Sequence, residues 1–463
     1  MPDIIERLTD LLGEDAVLTG ERVRERSAGI WRGDSIAARA IVRPRTTEEV
    51  SKVLALCNEV RQPVVAHGGL TGLVESAITT PDDIVLSLER LNRIEEIDPV
   101  GRTMTVQAGV LLQVLQEAVE EHGLIFPLDL GARGSCTIGG NIATNAGGNR
   151  VIRYGMTRDM VLGVEAVLAD GTVMSSMNRM IKNNAGYDLK QLLIGTEGTL
   201  GVVTRAVLRL REKPVSQETA FVALDSFDDV TRFLKIMDAE LGGMLSAFEV
   251  MWNDFYRLVT TPPANQKPPL EQSYPYYVLV EAMGGDQAHD RARLEEALAR
   301  CHEEGLVKDA VVADSEARRR AIWAMRDDVE QVFQFAPIYI FDVSIKIVSM
   351  EAYVGEVHRR LGAAFDEYHC FTFGHIGDGN LHFAVSAGGE EGDHLEGVQR
   401  CVYEPLASEG GSISAEHGIG LEKKRWLPLC RTHVEIELMR KIKRALDPNG
   451  ILNPGKIFDQ EVA

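Results

Sequence analysis

The chain has 463 residues, of which 45% are hydrophobic and 25% charged, and its formal net charge is −20. That length and composition predict a globular protein of two or three domains. The negative charge disfavours a nucleic-acid partner, because nucleic-acid binding depends on Lys and Arg neutralising phosphates. No apolar run approaches the roughly 20 residues of a membrane-spanning helix, so we expect no membrane span. An anionic small molecule would need specific cations, a metal ion or backbone N–H groups for binding, since the overall field repels it.

The chain start lacks the basic residues and the apolar run of a signal peptide. The six cysteines lie far apart without a Cys-x-x-Cys pair, which argues against a disulfide framework and a thiolate zinc site. We therefore expect a reducing compartment, the cytoplasm.

From about residue 35 to 213, β-rich apolar runs alternate with helix-like runs, which predicts an α+β domain. The strand-like runs are 63–67, 83–88, 103–109, 164–173 and 201–210, and the helix-like runs are 48–60 and 111–123. A change of composition near Pro214 predicts a second α+β domain, with a last helix that ends before Asp447-Pro448. Its predicted strands are 221–225, 276–282, 338–347, 371–377 and 381–387, and its predicted helices include 315–335 and 351–367. The predicted domains are 1–214, with a core at about 36–213, then 215–445 and a C-terminal segment at 446–463.

Three glycine-rich loops in the first domain predict a surface for a flat, polar ligand. The first loop follows strand 63–67 directly, so its backbone N–H groups can form a concave anion-binding turn. Thr79, Thr80 and Pro81 then break any helix, which disfavours a dinucleotide-binding G-x-G-x-x-G motif. For this loop alone an ordinary tight turn is an equal alternative. Glycines with small hydroxyl and amide residues allow close backbone approach to a ligand. The candidate residues of the three loops are Gly68, Gly69, Thr71, Gly72, Gly134, Ser135, Gly139, Gly140, Asn141, Thr144, Asn145, Gly147, Gly148, Glu197, Gly198 and Gly201.

Two histidines bracket the run HIGDGNLH at 375–382. Its central Asp378-Gly379 favours a two-residue type I′ hairpin turn. Such a turn would place His375 directly opposite His382, with Cβ atoms about 4.5–5.5 Å apart. Asn380 would lie at the turn edge, where it can hydrogen-bond a ligand. The alternative is that the histidines satisfy a polar patch in the sheet.

Glu416 and His417 are adjacent in the later run SAEHGIG. Together with His375 and His382, Glu416 completes the two-histidine, one-carboxylate set of an open divalent site, which zinc, manganese or iron would fit. Adjacent side chains diverge, so His417 is expected to face the substrate as a general base.

Arg326 lies on the apolar side of the predicted helix 315–335, on the same side as Ile322 and Val329. A guanidinium within an apolar stripe requires a partner. That partner is either a substrate carboxylate or Glu330, four residues further along the helix.

These motifs resemble the FAD-linked D-2-hydroxyacid dehydrogenases, over residues from about 35 to 458. The resemblance is carried by PLDLGARGSCTIGGNIATNAGG, NNAGYDLKQLLIGTEGTLGVVT, GHIGDGNLH, SAEHGIG and LDPNGILNPGK. It implies an α+β fold with a vanillyl-alcohol-oxidase-type, PCMH-type FAD-binding domain, a substrate-binding cap domain, and a C-terminal tail that returns to the flavin. It also implies oxidation of a D-2-hydroxy acid to the 2-oxo acid.

The resemblance assigns roles to residues of this chain. It implies zinc or another divalent metal at His375, His382 and Glu416, catalysis by His417, and substrate binding by Arg326 and Asn380. Lys346, in the cap strand, is added as a substrate-binding candidate that either compensates for a missing lysine or is solvated. FAD contacts are implied for His67, Gly68, Gly69, Leu70, Thr71, Gly72, Leu73, Pro127, Leu130, Gly134, Ser135, Gly139, Gly140, Asn141, Thr144, Asn145, Gly147, Gly148, Glu197, Gly201, Val203 and Asn453.

Three positions depart from the relatives' pattern. Ile340 and Glu330 stand where hydroxyglutarate-specific relatives tend to carry a lysine and a small hydroxyl residue, so the hydroxy acid is not identified. Leu70 stands where covalent relatives carry a histidine, so non-covalent FAD is expected.

The electron acceptor is open between an electron-transfer flavoprotein and a quinone, and a homodimer is one option for the assembly. The rival hypotheses are a metal-independent flavoprotein oxidase of alcohols or phenols on the same scaffold and a non-catalytic binding protein.

Overall fold

The computed structural model describes residues 3–30, 32–390 and 392–459, so the outermost residues of the predicted first and last segments lie outside it. The chain divides into two compact units. Unit 1 contains Met1–Gly148, Gly155–Lys213 and Glu416–Ala463, and unit 2 contains Asn149–Tyr154 and Pro214–Ala415.

Unit 1 is built on a four-stranded sheet of order β1-β2-β4-β3, a five-stranded sheet of order β5-β6-β10-β8-β9 and a β11-β7 pair within the described residues. The strands β2, β4 and β3 are parallel, and the five-stranded sheet is antiparallel. The strands of unit 1 are β1 Val17–Thr19, β2 Ala40–Val42, β3 Val64–His67, β4 Ile84–Ser87, β5 Ile94–Asp98, β6 Thr103–Gln107, β7 Leu124–Ile125, β8 Val161–Val167, β9 Val173–Ser176, β10 Val202–Arg209 and β11 Arg211–Glu212.

Unit 2 contains a seven-stranded antiparallel sheet of order β15-β12-β14-β13-β17-β18-β16 in its described part. Its apolar faces pack against helices, with Phe221, Tyr256, Tyr277 and Phe373 in one buried cluster. The strands are β12 Ser216–Leu224, β13 Leu245–Trp252, β14 Tyr276–Gly284, β15 Asp309–Val312, β16 Tyr339–Ser344, β17 His369–His375 and β18 Asn380–Ser386.

The helices begin where side chains cap exposed backbone N–H groups. Thr46, for example, accepts a hydrogen bond from the Glu49 N–H at 3.2 Å and starts α3, whose Val50, Val53 and Leu54 face the core. The α-helices are α1 Ile4–Leu12, α2 Glu21–Arg24, α3 Thr47–Glu59, α4 Leu112–Glu120, α5 Ile138–Thr144, α6 Val151–Tyr154, α7 Thr157–Met160, α8 Phe227–Leu241, α9 Asn253–Thr260, α10 Gln287–Glu303, α11 Glu316–Asp327, α12 Met350–Ala364, α13 Leu395–Tyr403, α14 Leu406–Glu409 and α15 His433–Leu446. Short 3-10 helices lie at Glu14–Ala16, Leu189–Leu192, Val329–Phe335, Ile347–Ser349, Ile376–Asp378 and Lys424–Leu429. In the described part of the chain, no helix is both long and apolar enough to cross a membrane.

Two elements that were predicted as continuous are interrupted in the structure. The run 164–173 is not one strand, because a turn with Gly171 at φ +86° separates β8 from β9. The helix predicted at 315–335 ends at Asp327, and a 3-10 helix follows at Val329–Phe335. Asp328 leaves helical geometry there, and two successive aspartates at the negative end of a helix dipole disfavour its continuation.

The last segment of the chain also differs from the predicted division at residue 445. Residues 416–445 group with unit 1. Ile442 and Leu446 of α15 pack against the core of the five-stranded sheet, and Lys443 Nζ donates to the carbonyls of Thr199 and Leu452 at 2.8 Å each.

Candidate active site

Unit 1 contains a cavity of about 510 Å3 that is lined by the three glycine-rich loops. This volume lies within the range of small-molecule sites. Of the predicted cofactor residues, the wall includes His67, Gly68, Gly69, Leu70, Thr71, Gly72, Leu73, Leu130, Gly139, Gly140, Asn141, Thr144, Gly147, Glu197, Gly201, Val203 and Asn453. Among the described lining residues, Pro127, Gly134, Ser135, Asn145 and Gly148 do not occur.

The first two loops touch so closely that only glycine fits at their contact. A Cβ on Gly69 would lie 2.1 Å from the Ser135 carbonyl oxygen, and one on Gly68 would lie 2.6 Å from Thr137 Oγ1. The buried Oδ1 of Asn141, also in the cavity wall, has no hydrogen-bond partner among the described residues. A buried polar atom of this kind is satisfied when a polar ligand occupies the cavity.

Glu197 and Asn453 join the third loop to the chain end within unit 1. Glu197 Oε1 accepts from the Ile419 N–H at 2.7 Å, Oε2 accepts from the Gly420 N–H at 2.9 Å, and the Ser76 hydroxyl also donates to Oε2. Burial raises the pKa of Glu197, and these hydrogen bonds oppose that rise. Asn453 Nδ2 donates to the Glu197 carbonyl at 2.6 Å. Both residues therefore shape the wall with their backbone and with internally bonded side chains.

Backbone strain is concentrated in the same wall. Leu70, Glu75, Glu197 and Asn453 all have positive φ, between 40° and 63°. Non-glycine residues adopt this conformation mainly where the surrounding structure imposes it, often at ligand sites.

His67 is buried at the end of β3, and its Nε2 lies 2.8 Å from the Ala77 carbonyl oxygen. A carbonyl only accepts, so Nε2 carries the proton and donates to it. Burial lowers the pKa of His67 to about 4, so the ring is neutral at neutral pH. It offers a phosphate no positive charge.

Glu416 and His417 also line the cavity of unit 1. The Gly148 N–H donates a hydrogen bond to Glu416 Oε1. Gly148 has φ +90°, and a Cβ there would lie 2.1 Å from the Asp129 carbonyl oxygen. The glycine thus brings its N–H to the carboxylate in a conformation that other residues would not adopt without strain.

In unit 2, four polar residues form a row across neighbouring strands of the sheet, here called the polar row: Glu249, His375, His382 and Asp342. Glu249 of β13 pairs directly with His375 of β17, and Asp342 of β16 pairs directly with His382 of β18. The two imidazole centroids are 5.2 Å apart. A carboxylate thus lies at each end of the histidine pair.

The predicted hairpin register is wrong. His382 pairs with Phe373, so His375 is its diagonal neighbour on the same face. The connection is not a two-residue turn, because residues 376–379 separate the strands and Ile376–Asp378 forms a 3-10 turn before Gly379 at φ +91°. The imidazoles still meet, because diagonal neighbours share a face and long side chains can span the gap.

Arg326 is buried and does not use the predicted helical partner. Its Nε donates to Glu249 Oε2 at 2.8 Å, and its guanidinium lies 4.8 Å from the centre of the Phe373 ring. Glu330 is exposed, beyond the point where α11 ends. Burial works against ionisation of Glu249, but the charges and hydrogen bonds of His375 and Arg326 keep its pKa below the ordinary value.

Asn380 is buried beside the polar row. Its Nδ2 donates to Asp342 Oδ1 at 2.8 Å and to the Val343 carbonyl at 3.2 Å. Its Oδ1 has no hydrogen-bond partner among the described residues. Lys346, by contrast, is exposed, and Ile340 packs at the edge of the aromatic cluster of unit 2.

The sequence analysis missed three residues of the candidate site, two in the polar row and one in the cavity wall. Glu249 and Asp342 lie in ordinary strand patterns, and only the strand order reveals them as histidine partners. Arg32 lines the cavity of unit 1 from a segment before β2. The glycine-containing run AGIWRGDS was the available signal for that segment, and it has no periodic pattern.

The residues present fit FAD and a divalent metal ion, the two groups that the motifs imply. In unit 1, the cavity combines apposed glycine loops with a buried polar atom that a ligand would satisfy. In unit 2, two imidazoles converge, and Glu249 hydrogen-bonds one of them, His375, as in metal sites where a ligating histidine donates its second N–H to a carboxylate. Imidazole suits zinc and iron.

Comparison with known proteins finds related families for both halves of the chain. Residues 38–176 match a FAD binding domain family, and residues 213–457 match the family "FAD linked oxidases, C-terminal domain". A D-2-hydroxyglutarate dehydrogenase of Xanthomonas citri pv. viticola is 41% identical over 425 residues, covering 91% of this chain and 89% of that protein. The mitochondrial D-2-hydroxyglutarate dehydrogenase of Bos taurus is 41% identical over 423 residues, covering 91% of this chain and 77% of that protein.

The fold is that of the vanillyl-alcohol-oxidase-type flavoproteins, and the predicted α+β class is confirmed. The solved structure of p-cresol methylhydroxylase with substrate bound has a TM-score of 0.78 at 17% identity, covering 99% of this chain and 97% of that one.

Proposed function

This chain belongs to the family of FAD-linked oxidases that includes the D-2-hydroxyglutarate dehydrogenases, and on that premise we propose that it oxidises a D-2-hydroxy acid to the 2-oxo acid. The observation that carries the proposal is the position of His417 in unit 1. A residue able to act as a base lines the same cavity as the glycine loops of the FAD-binding domain.

We propose non-covalent FAD and a divalent metal, zinc first and manganese or iron next, with His375, His382 and Glu416 as metal ligands. When bound, FAD would supply the hydride acceptor, and the metal would supply a Lewis acid that favours deprotonation of the 2-hydroxyl. Two imidazoles and one carboxylate leave coordination positions for substrate oxygens.

The chain's own residues would bind and orient the substrate. His417 would accept the 2-hydroxyl proton, a role suited to the ordinary pKa range of an imidazole. Arg326 would hold the substrate carboxylate with the guanidinium N–H groups that do not face Glu249. The unsatisfied Oδ1 of Asn380 would accept a hydrogen bond from the substrate. Binding at several fixed points selects one enantiomer.

The substrate class is proposed as D-lactate, D-2-hydroxyglutarate or a related acid. Ile340 and Glu330 provide no cation for a second carboxylate, and Lys346 is the nearby candidate for that role. An electron-transfer flavoprotein or a quinone is the proposed electron acceptor. All six cysteines are free thiols, which supports a reducing compartment such as the cytoplasm. A homodimer is the proposed assembly to test first.

The proposal is tested by a substrate screen on the purified holoenzyme with a dye acceptor. D-lactate, D-2-hydroxyglutarate, D-malate and D-mandelate are each paired with their L-enantiomers as matched controls. We expect turnover of at least one D-acid and little of its L-form. Turnover of alcohols or phenols that survives thorough chelation would support the rival metal-independent oxidase. A purified protein without the visible flavin absorbance would support a non-catalytic role.

The assignment of the base is tested with His417→Ala and with the exposed His433→Ala as its control. Loss of a general base costs about 10²–10⁴-fold in rate. We expect that loss in kcat for His417→Ala, with FAD and metal content retained, and a normal rate for His433→Ala. Normal turnover of His417→Ala would refute the role of this residue.

A further inference from the structure

We infer that Glu249 is a positioning residue that holds His375 and Arg326 in their working orientations, an inference that rests on the proposed function. Glu249 lies on β13, in the interior of the sheet of unit 2, and its side chain is fully buried. One carboxylate oxygen contacts a proposed metal ligand and the other contacts the proposed substrate arginine.

The contact with His375 fixes the tautomer of the ring. Glu249 Oε1 lies 2.6 Å from His375 Nδ1, and a carboxylate can only accept, so Nδ1 carries the proton. Nε2 is then the ring nitrogen that Glu249 does not engage. The Nη2 of Arg326, which can only donate, lies 3.5 Å from that nitrogen, as this tautomer requires. Glu249 thereby leaves Nε2 as the nitrogen that would ligate a metal ion, which would take the place of the Arg326 contact.

The contact with Arg326 fixes the direction of the guanidinium. Its Nε is committed to Glu249 Oε2, and its plane lies near Phe373, two residues before His375 on the same strand face. Of the remaining guanidinium nitrogens, Nη2 lies 3.5 Å from His375 Nε2. Because both oxygens of one carboxylate are engaged, the distance between the histidine and the arginine is also set by Glu249.

Asp342 does not duplicate this arrangement. It lies 4.0 Å from His382 Nδ1, and its oxygens accept from Asn380 Nδ2, the Ser414 hydroxyl and the Ala415 N–H. Only Glu249 bridges a histidine of the pair and Arg326 within the described residues.

The first test is Glu249→Gln in the FAD-loaded protein. Zinc affinity is measured by competition with a chromophoric chelator, and kcat and KM are measured separately. Removing a carboxylate behind a ligating histidine costs about 10–100-fold in metal affinity, so we expect that loss together with a raised KM. The matched control is Glu218→Gln, which replaces another buried carboxylate of the same sheet that contacts Arg291 instead. We expect this control to bind zinc as the wild type does.

A second pair of variants keeps the test valid if Glu249→Gln does not fold. Arg326→Met should raise KM with little change in zinc affinity. The double variant Glu249→Gln/Arg326→Met removes both charges of the buried pair, which avoids leaving one of them uncompensated. It should bind zinc about 10–100-fold more weakly than Arg326→Met.

The outcomes separate the inference from the proposed function. Equal zinc affinity in the double variant and Arg326→Met would overturn the role of Glu249 while the metal site stands. If the wild type binds zinc no better than His375→Gln does, the proposed metal site fails, and the inference fails with it.

Discussion

Substitution of Gly69 by alanine should sharply weaken FAD binding. The added Cβ would lie 2.1 Å from the Ser135 carbonyl oxygen and 2.8 Å from Cys136 Cα, both of them backbone atoms. Ordinary contact begins near 3.4 Å, so the two loops must separate by more than an ångström. Overpacking of this kind costs about 1–3 kcal/mol. If the loops separate only in the protein without ligand and must close to bind FAD, this energy corresponds to an FAD dissociation constant raised about 5- to 150-fold.

The assay is release of FAD from the purified holoenzyme, followed by flavin fluorescence, with circular dichroism to check the fold. Gly33→Ala is the matched control, because a Cβ at Gly33 meets nothing within 4 Å and Gly33 does not line the cavity among the described residues. It should retain FAD as the wild type does. An unchanged dissociation constant for Gly69→Ala would refute the conclusion that loop apposition shapes the cofactor site.

Two further substitutions follow from the environments of single residues. His67 has a pKa of about 4 when folded and an ordinary value of 6.5 when unfolded, so its contribution to stability is present above pH 6.5 and is lost as the pH falls towards 4. From about pH 7 to pH 5 this loss in the free energy of unfolding is roughly 2 kcal/mol. Chemical denaturation at the two pH values should show the loss in the wild type and not in His67→Gln. An equal loss in both proteins would contradict the assignment. Lys346→Ala should leave KM for D-lactate unchanged, because the side chain is exposed, whereas a raised KM would show that it reaches monocarboxylate substrates.

The glycine loops were predictable because their chemistry is local. A glycine directly after a strand indicates a turn in which the backbone is accessible, whatever the rest of the fold does. Most of the predicted strands agree with the structure for the same reason. The close contact between Gly69 and Ser135 could not be predicted, because the two residues lie in different loops and no local sequence pattern includes both.

The histidine hairpin shows which part of a strand pairing the sequence determines. Its prediction was correct in placing His375 and His382 on one face and wrong in placing them directly opposite each other. Side chains alternate with a period of two, so moving the partner by two residues preserves the face, whereas moving it by one would have separated the rings. The register depends on the connection, and the 3-10 turn at Ile376–Asp378 was not visible in Asp378-Gly379 alone.

The partners of Arg326 could not be predicted, because they depend on sheet order. The sequence offered Glu330 at helical spacing, but α11 ends before it. Glu249 lies 77 residues away in the chain and is brought to Arg326 by the packing of α11 on the sheet. Buried ion pairs of this kind join distant segments, and a pattern search along one helix cannot find them.

The charges around the polar row predict that metal removal weakens substrate binding as well as turnover. Arg326 is matched by Glu249, and Asp342 adds a second carboxylate that accepts hydrogen bonds on both oxygens. Arg326 and the two carboxylates together offer an anion no net positive charge, and the chain as a whole carries −20. A divalent ion would add two positive charges there and give the substrate anion a cation to bind. We therefore expect the 2-oxo acid product, titrated against the flavin spectrum, to bind much more weakly after chelation and to recover its affinity with added zinc. Equal affinity with and without metal would mean that Arg326 alone supplies the attraction.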